Sequence, residues 1–403
     1  MCFSDEEVRE ANREIDTLVR ECVLFSVPPA AEPPEYNGIV KSLCLNVTHL
    51  CNLKCAYCFA ESESCGGLYD GKAEHMSART ARAAIDFLIA RSGETVNLEV
   101  DFFGGEPLLN LAVVKDTVEY ARGLEKLHRK NFRFTVTTNA LLLTDDVADF
   151  FNREMDNVVL SIDGRENVHN SVRKTRGGED SFAPALSNAL NFVKWRGDKQ
   201  YYVRGTFTSK NLDFSADVLA LCGYGFKNVS VEPVVLPEGH PLAVSERDLE
   251  AVEREYEKLT AEYLVRRAGG EWFTFFHFNM DIYNGPCAAK RLKSCGAGCE
   301  YVAVAPDGSI YPCHQFVGLR PYVIGNVETG CYEKEIPLKF GRQNHVYAKA
   351  ACRECWAKYY CSGGCAASAV KFAGRLTEPH RISCAMMRKR IECALAAYAI
   401  ENE

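Results

Sequence analysis

Residues 51–58 read Cys51-Asn52-Leu53-Lys54-Cys55-Ala56-Tyr57-Cys58, three cysteines spaced closely enough to share one metal centre. A cubane of four irons and four sulfides takes one outside ligand per iron, usually a thiolate. Three closely spaced thiolates would hold three irons and leave the fourth to bind something else. An open coordination position is what separates a catalytic metal site from a closed structural one. Three buried structural cysteines, or a zinc knuckle, are the plainer readings of the same residues.

Outward from the loop the pattern alternates strand and helix. Leu43–Val47 predicts a buried strand that delivers the cysteines, and Ser77–Ala90 a helix capped by Ser77, with Ala84, Ile85 and Leu88 on one face. Strands are expected at Val96–Phe103, Phe132–Thr137, Val158–Ile162, Tyr201–Thr206 and Val229–Val231. Helices are expected at Leu111–His128, Asp145–Arg153, Phe182–Trp195 and Ser215–Cys222. Six strands alternating with helices imply right-handed crossovers and a parallel sheet, hence an α/β fold. Ligand sites in such sheets lie at the C-terminal ends of the strands, and the cysteine loop follows the first of them.

At the N-terminus, residues 4–24 show helical spacing, followed by PPAAEPPEYNG, whose four prolines mark an extended linker. A long helix is expected at Ser245–Arg267. From Cys287 to Cys384 there are then ten cysteines in 98 residues, read as a second domain whose core is largely metal clusters, and residues 385–400 predict a closing Ala-rich helix. The expected divisions are 1–38, an N-terminal helix and linker; 39–240, the α/β core; 241–286, a helical bridge; and 287–403, the cysteine-rich domain.

Composition bounds the function. The chain has 19 cysteines in 403 residues. Its opening, MCFSDEEVRE, lacks the apolar core of a secretory signal, and no apolar run approaches the ~20 residues of a membrane span. A cytoplasmic location is therefore expected, where thiols stay reduced and cysteine clusters read as metal-binding or catalytic. The net charge of −7 argues against a nucleic-acid partner, and the basic stretch Arg388-Lys389-Arg390 reads as a solvated helix face.

The strand Val96–Phe103 runs into Gly104-Gly105-Glu106-Pro107. Two glycines would let a ligand approach the backbone, and Glu106 could pair with an ammonium; alone, the string is only a tight turn. CNLKCAYC followed by FFGGEPLL resembles the radical S-adenosylmethionine (SAM) superfamily. The resemblance implies a partial (β/α)6 TIM-like barrel in which Cys51, Cys55 and Cys58 bind a [4Fe–4S] cluster and SAM chelates the open iron. There, reductive cleavage of SAM yields a 5′-deoxyadenosyl radical that abstracts a substrate hydrogen. It further places Tyr57 before the last ligand, the Phe59 backbone at adenine, and Gly104, Gly105 and Glu106 at the SAM amino group. Ser161 and Asp163 match a strand end near the ribose, with Thr138 and Asn139 on the neighbouring strand end. Arg173 matches a position near the SAM carboxylate, and Arg204 is a second candidate for that role. Thr138, Asn139 and Arg204 also read as ordinary polar residues at strand ends.

The later cysteines extend the likeness. Gly308-x-x-x-x-Cys313, then Cys352-x-x-Cys355, Cys361, Cys365 and Cys384, resembles the SPASM domain, which binds two auxiliary [4Fe–4S] clusters. The resemblance assigns Cys352, Cys355, Cys361 and Cys384 to one cluster. Cys313 and Cys365 fall to the other, with Cys287, Cys295 and Cys299 as upstream candidates; if only one of these binds, an iron is left open for a substrate thiolate. Three [4Fe–4S] clusters and SAM are thus the implied cofactors, and a pair of zinc ribbons is the alternative.

CGAGCEYVAVAPDGSIYPCHQFVG (residues 295–318) is similar to the thioether-forming maturases of six-cysteine (SCIFF-type ranthipeptide) precursors. The implied partners are a cysteine-rich precursor peptide, a flavodoxin- or ferredoxin-type electron donor and a separate leader-recognition protein, in an anaerobic organism. Anaerobic sulfatase maturases, which make formylglycine, share both domains but place an aspartate where His314 stands here. That favours thioether formation, with His314 either a proton acceptor or structural. The 27 residues before the linker would be a remnant of a leader-recognition domain. A non-catalytic iron–sulfur electron carrier would need neither the GGEP turn nor the SAM residues.

Overall fold

The computed structural model describes residues 4–21, 23, 36–60, 74–280 and 288–402. The stretch 28–35 and Cys287 lie outside the described residues. The chain divides into two compact units, Met1–Pro34 and Glu35–Glu403. In the first, helix α1 (Asp5–Arg20) opens with a capping box between Ser4 and Glu7 and buries no residue.

The second unit is built on one sheet. Strand β1 (Ser42–Thr48) is followed by the short β2 (Leu53–Cys55) inside the cysteine loop. Then α2 (Ala78–Arg91), β3 (Asn97–Gly104), α3 (Leu111–His128), β4 (Asn131–Thr138), α4 (Asp145–Glu154) and β5 (Asn157–Ser161) alternate. The chain continues through α5 (Glu166–Val172), β6 (Arg173–Thr175), α6 (Phe182–Arg196), β7 (Tyr201–Phe207), α7 (Phe214–Gly223), β8 (Asn228–Pro233), α8 (Leu249–Ala268) and β9 (Thr274–Phe275). Strands β1-β3-β4-β5-β7-β8-β9 lie in that order and pair in parallel throughout. This is the parallel α/β arrangement expected from the alternation of strands and helices. Ser77 caps α2 as expected, accepting the Thr80 N–H at 3.0 Å.

The cysteine-rich segment does not make a sheet of its own. After α9 (Ala288–Lys293), strand β10 (Tyr301–Val304) pairs in parallel with β1, with Cys44 opposite Ala303. Strands β11 (Ser309–Tyr311), β12 (Gly325–Asn326) and β13 (Cys331–Tyr332) then add antiparallel, completing eleven strands among the described residues. Side chains alternate across β10. Val302 and Val304 join the barrel core, whereas Ala303 and Ala305 join a smaller core around Phe316, Val317 and Phe340. That second core also includes the thiols of Cys44, Cys299 and Cys313.

Four short helices follow, α10 (Glu335–Gln343), α11 (Ala350–Arg353), α12 (Lys358–Cys361) and α13 (Ala366–Ala373), and then the long α14 (Arg381–Glu401). Helix α14 packs on α8. Its basic stretch is not the solvated face expected. Lys389 and Arg390 are each only 13% exposed, paired to Glu257 and to Glu232 respectively. Among the described residues, no helix is long and apolar enough to cross a membrane.

Candidate active site and cysteine clusters

A cavity of about 370 Å³ opens at the C-terminal ends of the parallel strands. Strand alternation decides its wall. Asp101 and Phe103, Thr135 and Thr137, Val159 and Ser161, Arg204 and Thr206 face it, while the residues between them, such as Phe102, Phe134, Val136 and Leu160, are buried in the hydrophobic core. Cys51, Cys55 and Cys58 line the same cavity with Tyr57, Phe59, Gly104, Gly105, Glu106, Thr138, Asn139 and Arg173.

The cysteine loop is tied down at three places. Cys55 sits in β2, which pairs antiparallel with β6 so that Cys55 faces Arg173. The Leu53 N–H points at the Cys51 sulfur at 3.4 Å, and the Cys58 N–H donates to the Cys55 carbonyl at 3.1 Å. Burial first, then the nearby Glu106 carboxyl, pushes the Cys51 thiol up to about 12, so a metal must displace its proton on binding.

Behind the loop lies a buried charge network. Asp163, with no exposed surface, accepts the Tyr57 hydroxyl at 2.6 Å, two Arg173 N–H bonds at 2.9 and 3.1 Å, and the Thr206 N–H at 2.9 Å. The Arg173 guanidinium also stands over the Tyr57 ring, 5.3 Å from its centre. Asp163 is not among the residues lining the cavity; from behind it orients Tyr57 and Arg173. Ser161 does face the cavity.

The glycine turn serves the protein before any ligand. Gly104 adopts φ +132°, and a Cβ added there would stand 2.2 Å from the Thr48 carbonyl oxygen. A Cβ on Gly105 would stand 2.0 Å from the Leu50 oxygen. The Gly105 and Glu106 N–H groups donate to those two carbonyls at 2.7 and 2.8 Å, so the turn docks on the chain entering the cysteine loop. Glu106 reaches the next strand end, accepting from Thr138 Oγ1 and the Asn139 N–H at 2.8 Å and from the Leu108 N–H at 3.1 Å. Burial still lifts its carboxyl to about 7. Asn139 Nδ2 in turn bonds Asn52 at 2.7 Å and approaches the Cys51 sulfur at 3.8 Å.

Arg204 faces the same cavity from β7, away from the β2–β6 ladder. It pairs with Glu232 at 3.6 Å, which Arg390 also grips at 3.3 Å. The Arg173 position is therefore better placed at the cysteine loop than Arg204. His314 lines the cavity from the cysteine-rich side, packed against Phe103 and Phe59, with Nδ1 sharing a 3.0 Å hydrogen bond with the Tyr301 hydroxyl. Burial first, then Arg204 and Lys371, pulls its imidazole down to about 4, so it is neutral at pH 7.

The later cysteines fall into groups. Cys352, Cys355, Cys361 and Cys384 together line a cavity of about 250 Å³. Cys295, Cys313 and Cys365 are close enough that charge on each is felt by another. Cys299 stands apart, its thiol aimed at the Pro337 carbonyl at 3.5 Å and packed by Gly341. Among the described residues, no three His, Cys, Asp or Glu side chains converge as a single ion would need. A cubane spreads its thiolates around itself instead, and the donor sets suit it: sulfur only, around a cavity of cluster size.

Three functional groups escaped the sequence. Glu232 and Asp101 face the cavity, and their signal was the i, i+2 alternation at strand ends. Lys349 has no exposed surface. Its ammonium donates to Asn344 Oδ1 at 2.9 Å and the Gly363 carbonyl at 2.6 Å, and the thiols that bear on it are Cys352, Cys361, Cys365 and Cys384. Nothing in the local sequence marks it.

Residues 45–194 match the family model described as the Radical SAM superfamily. An uncharacterised protein of Methanocaldococcus jannaschii is 29% identical over 195 residues, 48% of this chain and 62% of that protein, so the match spans less than two thirds of its length. The serine-type anaerobic sulfatase-maturating enzyme of Bacteroides thetaiotaomicron is 25% identical over 346 residues, 78% of this chain and 80% of that enzyme. The solved structure of native anSMEcpe with bound AdoMet and Cp18Cys peptide shares the fold, with a TM-score of 0.72 at 20% identity over 90% of this chain and 98% of that one. The segment carrying the three-cysteine loop and the glycine turn thus matches a radical SAM domain, and the fold of the chain is shared with that solved structure. The chain carrying it is homologous to the anaerobic sulfatase maturases and to radical SAM enzymes that modify peptides.

Proposed function

We propose that the protein is a radical SAM peptide maturase that joins a cysteine sulfur to a carbon of a ribosomally made precursor peptide. The observation that carries this reading is the shared cavity. The three-cysteine loop lines one side and His314, next to Cys313 in the chain, the other, so the loop and the cysteine-rich segment both contribute walls to one cavity. In this reading Cys51, Cys55 and Cys58 hold the SAM-binding cluster, which supplies the hydrogen-abstracting radical. Cys352, Cys355, Cys361 and Cys384 hold one auxiliary cluster, while Cys295, Cys313 and Cys365 serve the other. Gly104, Gly105, Glu106, Asn139 and Ser161 line the SAM side of the cavity, backed by Tyr57, Asp163 and Arg173. His314, neutral and bonded to Tyr301, shapes the far wall.

The reading is tested by anaerobic iron–sulfide reconstitution, then incubation with SAM, dithionite and each short peptide encoded beside the gene. A cross-linked product two hydrogens lighter, with one 5′-deoxyadenosine per turnover, is expected. The similarity to a sulfatase-maturating enzyme over 346 residues favours a second reading, formylglycine formation. An aldehyde that reacts with hydrazine would replace the first reading by the second. Absence of 5′-deoxyadenosine would replace both by an electron-transfer role.

A further inference from the structure

The carboxylates around the cavity are, with one exception, already committed. Asp163 accepts four hydrogen bonds and Glu106 three, and Glu232 is held by Arg204, Arg390 and His277. Asp101 is the exception. It faces the cavity from β3, in register with Cys44 on β1 and Thr135 on β4, and among the described residues its buried Oδ1 has no hydrogen-bond partner. A buried acceptor left unsatisfied is costly, so such a group calls for a use.

Its surroundings narrow that use. Tyr301 on β10 lies close enough to feel both Asp101 and Cys313, which sets Asp101 on the side nearest the cysteine-rich segment. Tyr301 is hydrogen-bonded to His314 and to Cys44, and burial keeps the phenol and the Cys44 thiol protonated. Facing charges come from Arg204 on β7, which favours the carboxylate, and from Glu99 on its own strand, which opposes it. Burial outweighs both and lifts the Asp101 carboxyl to about 7. A base is most effective when its pKa lies near the working pH.

Resting on the peptide-maturase reading above, we propose that Asp101 is the base that takes the proton from the substrate's cysteine thiol. The balance is complete. The peptide carbon–hydrogen bond breaks homolytically, with its hydrogen ending in 5′-deoxyadenosine. The S–H proton goes to the Asp101 carboxylate as the sulfur–carbon bond forms, and the remaining electron passes to an oxidised auxiliary iron–sulfur cluster.

Two measurements on the reconstituted full-length protein test this. The first is an infrared pH titration of wild type against Asp101→Asn. A carboxyl C=O band that disappears as pH rises through about 7 in wild type and is missing from Asp101→Asn is expected, beside the Glu106 band common to both; identical titrating bands in the two proteins overturn the proposal. The second uses the peptide cross-linked in the preceding test. Cross-links per 5′-deoxyadenosine should rise with pH through about 7 in wild type and fall at least tenfold in Asp101→Asn at pH 7. In the variant the ratio should instead climb through the thiol's own range near 8.5, where hydroxide removes the proton, and Asp101→Glu should restore part of it. Identical pH profiles for wild type and Asp101→Asn overturn the proposal. Failure of wild type to cross-link any peptide counts against the maturase reading, and the infrared titration then decides on Asp101 alone.

Discussion

At the scale of single residues, the closest constraint is Gly105, whose missing side chain leaves room for the Leu50 carbonyl. A methyl group there cannot be absorbed by a rotamer change, because the obstacle is backbone 2.0 Å away. Gly105→Ala is therefore expected to cost about 2–3 kcal/mol and to lower the iron bound per chain after reconstitution, measured by denaturant unfolding and iron assay. Lys349 makes a subtler case. No carboxylate among the described residues pairs with its buried ammonium, and its partners are neutral. Metal-bound thiolates would supply the missing negative charge. Lys349→Met should then stabilise the metal-free chain by about 1–3 kcal/mol and weaken cluster retention in the loaded one. Unfolding curves for both forms check this, and a loss of stability in the metal-free form would contradict it.

At the scale of elements, the barrel was legible and the cysteine-rich segment largely was not. Strand β3 and helix α3 were read to within a residue or two because β3 alternates, with Leu98, Val100 and Phe102 turned into the core, and α3 is amphipathic. Strands β10 to β13 are two to four residues long, too short for a period to show. Their positions are fixed by pairing with β1 and by the Phe316–Phe340 core, which are tertiary facts. The site followed the same division. Thiols and the glycine turn are legible because chemistry fixes their spacing. For Asp163 the sequence shows that a polar residue follows a strand end, and not that the buried Arg173 guanidinium pairs with it. The small ladder of β2 on β6 depends on that pairing. Arg173→Leu leaves the Asp163 carboxylate buried and unpaired, a change expected to cost about 3–5 kcal/mol. It should also loosen Tyr57 beside Cys58, seen as faster loss of iron to a chelator.

At the scale of the whole molecule, the radical SAM sheet and the cysteine-rich segment share strands and cannot be separated cleanly. A chain ending at residue 286 would expose the β1 edge, where Leu43, Cys44 and Leu45 are fully buried in the intact protein. Such a fragment is expected to aggregate or to lack a cooperative thermal transition, and scattering with calorimetry would show it.

Synthesis adds a time dimension to the same pairing. Strand β1 ends at Thr48 and its partner β10 begins at Tyr301, about 250 residues later. At ~5–20 residues per second, the ribosome needs roughly 12–50 s to make the intervening chain. For that interval one flank of the sheet has no neighbour, beside three thiols that must meet iron and not each other. The order of manufacture therefore leaves the β1 edge open beside the cysteine loop until β10 arrives to cover it.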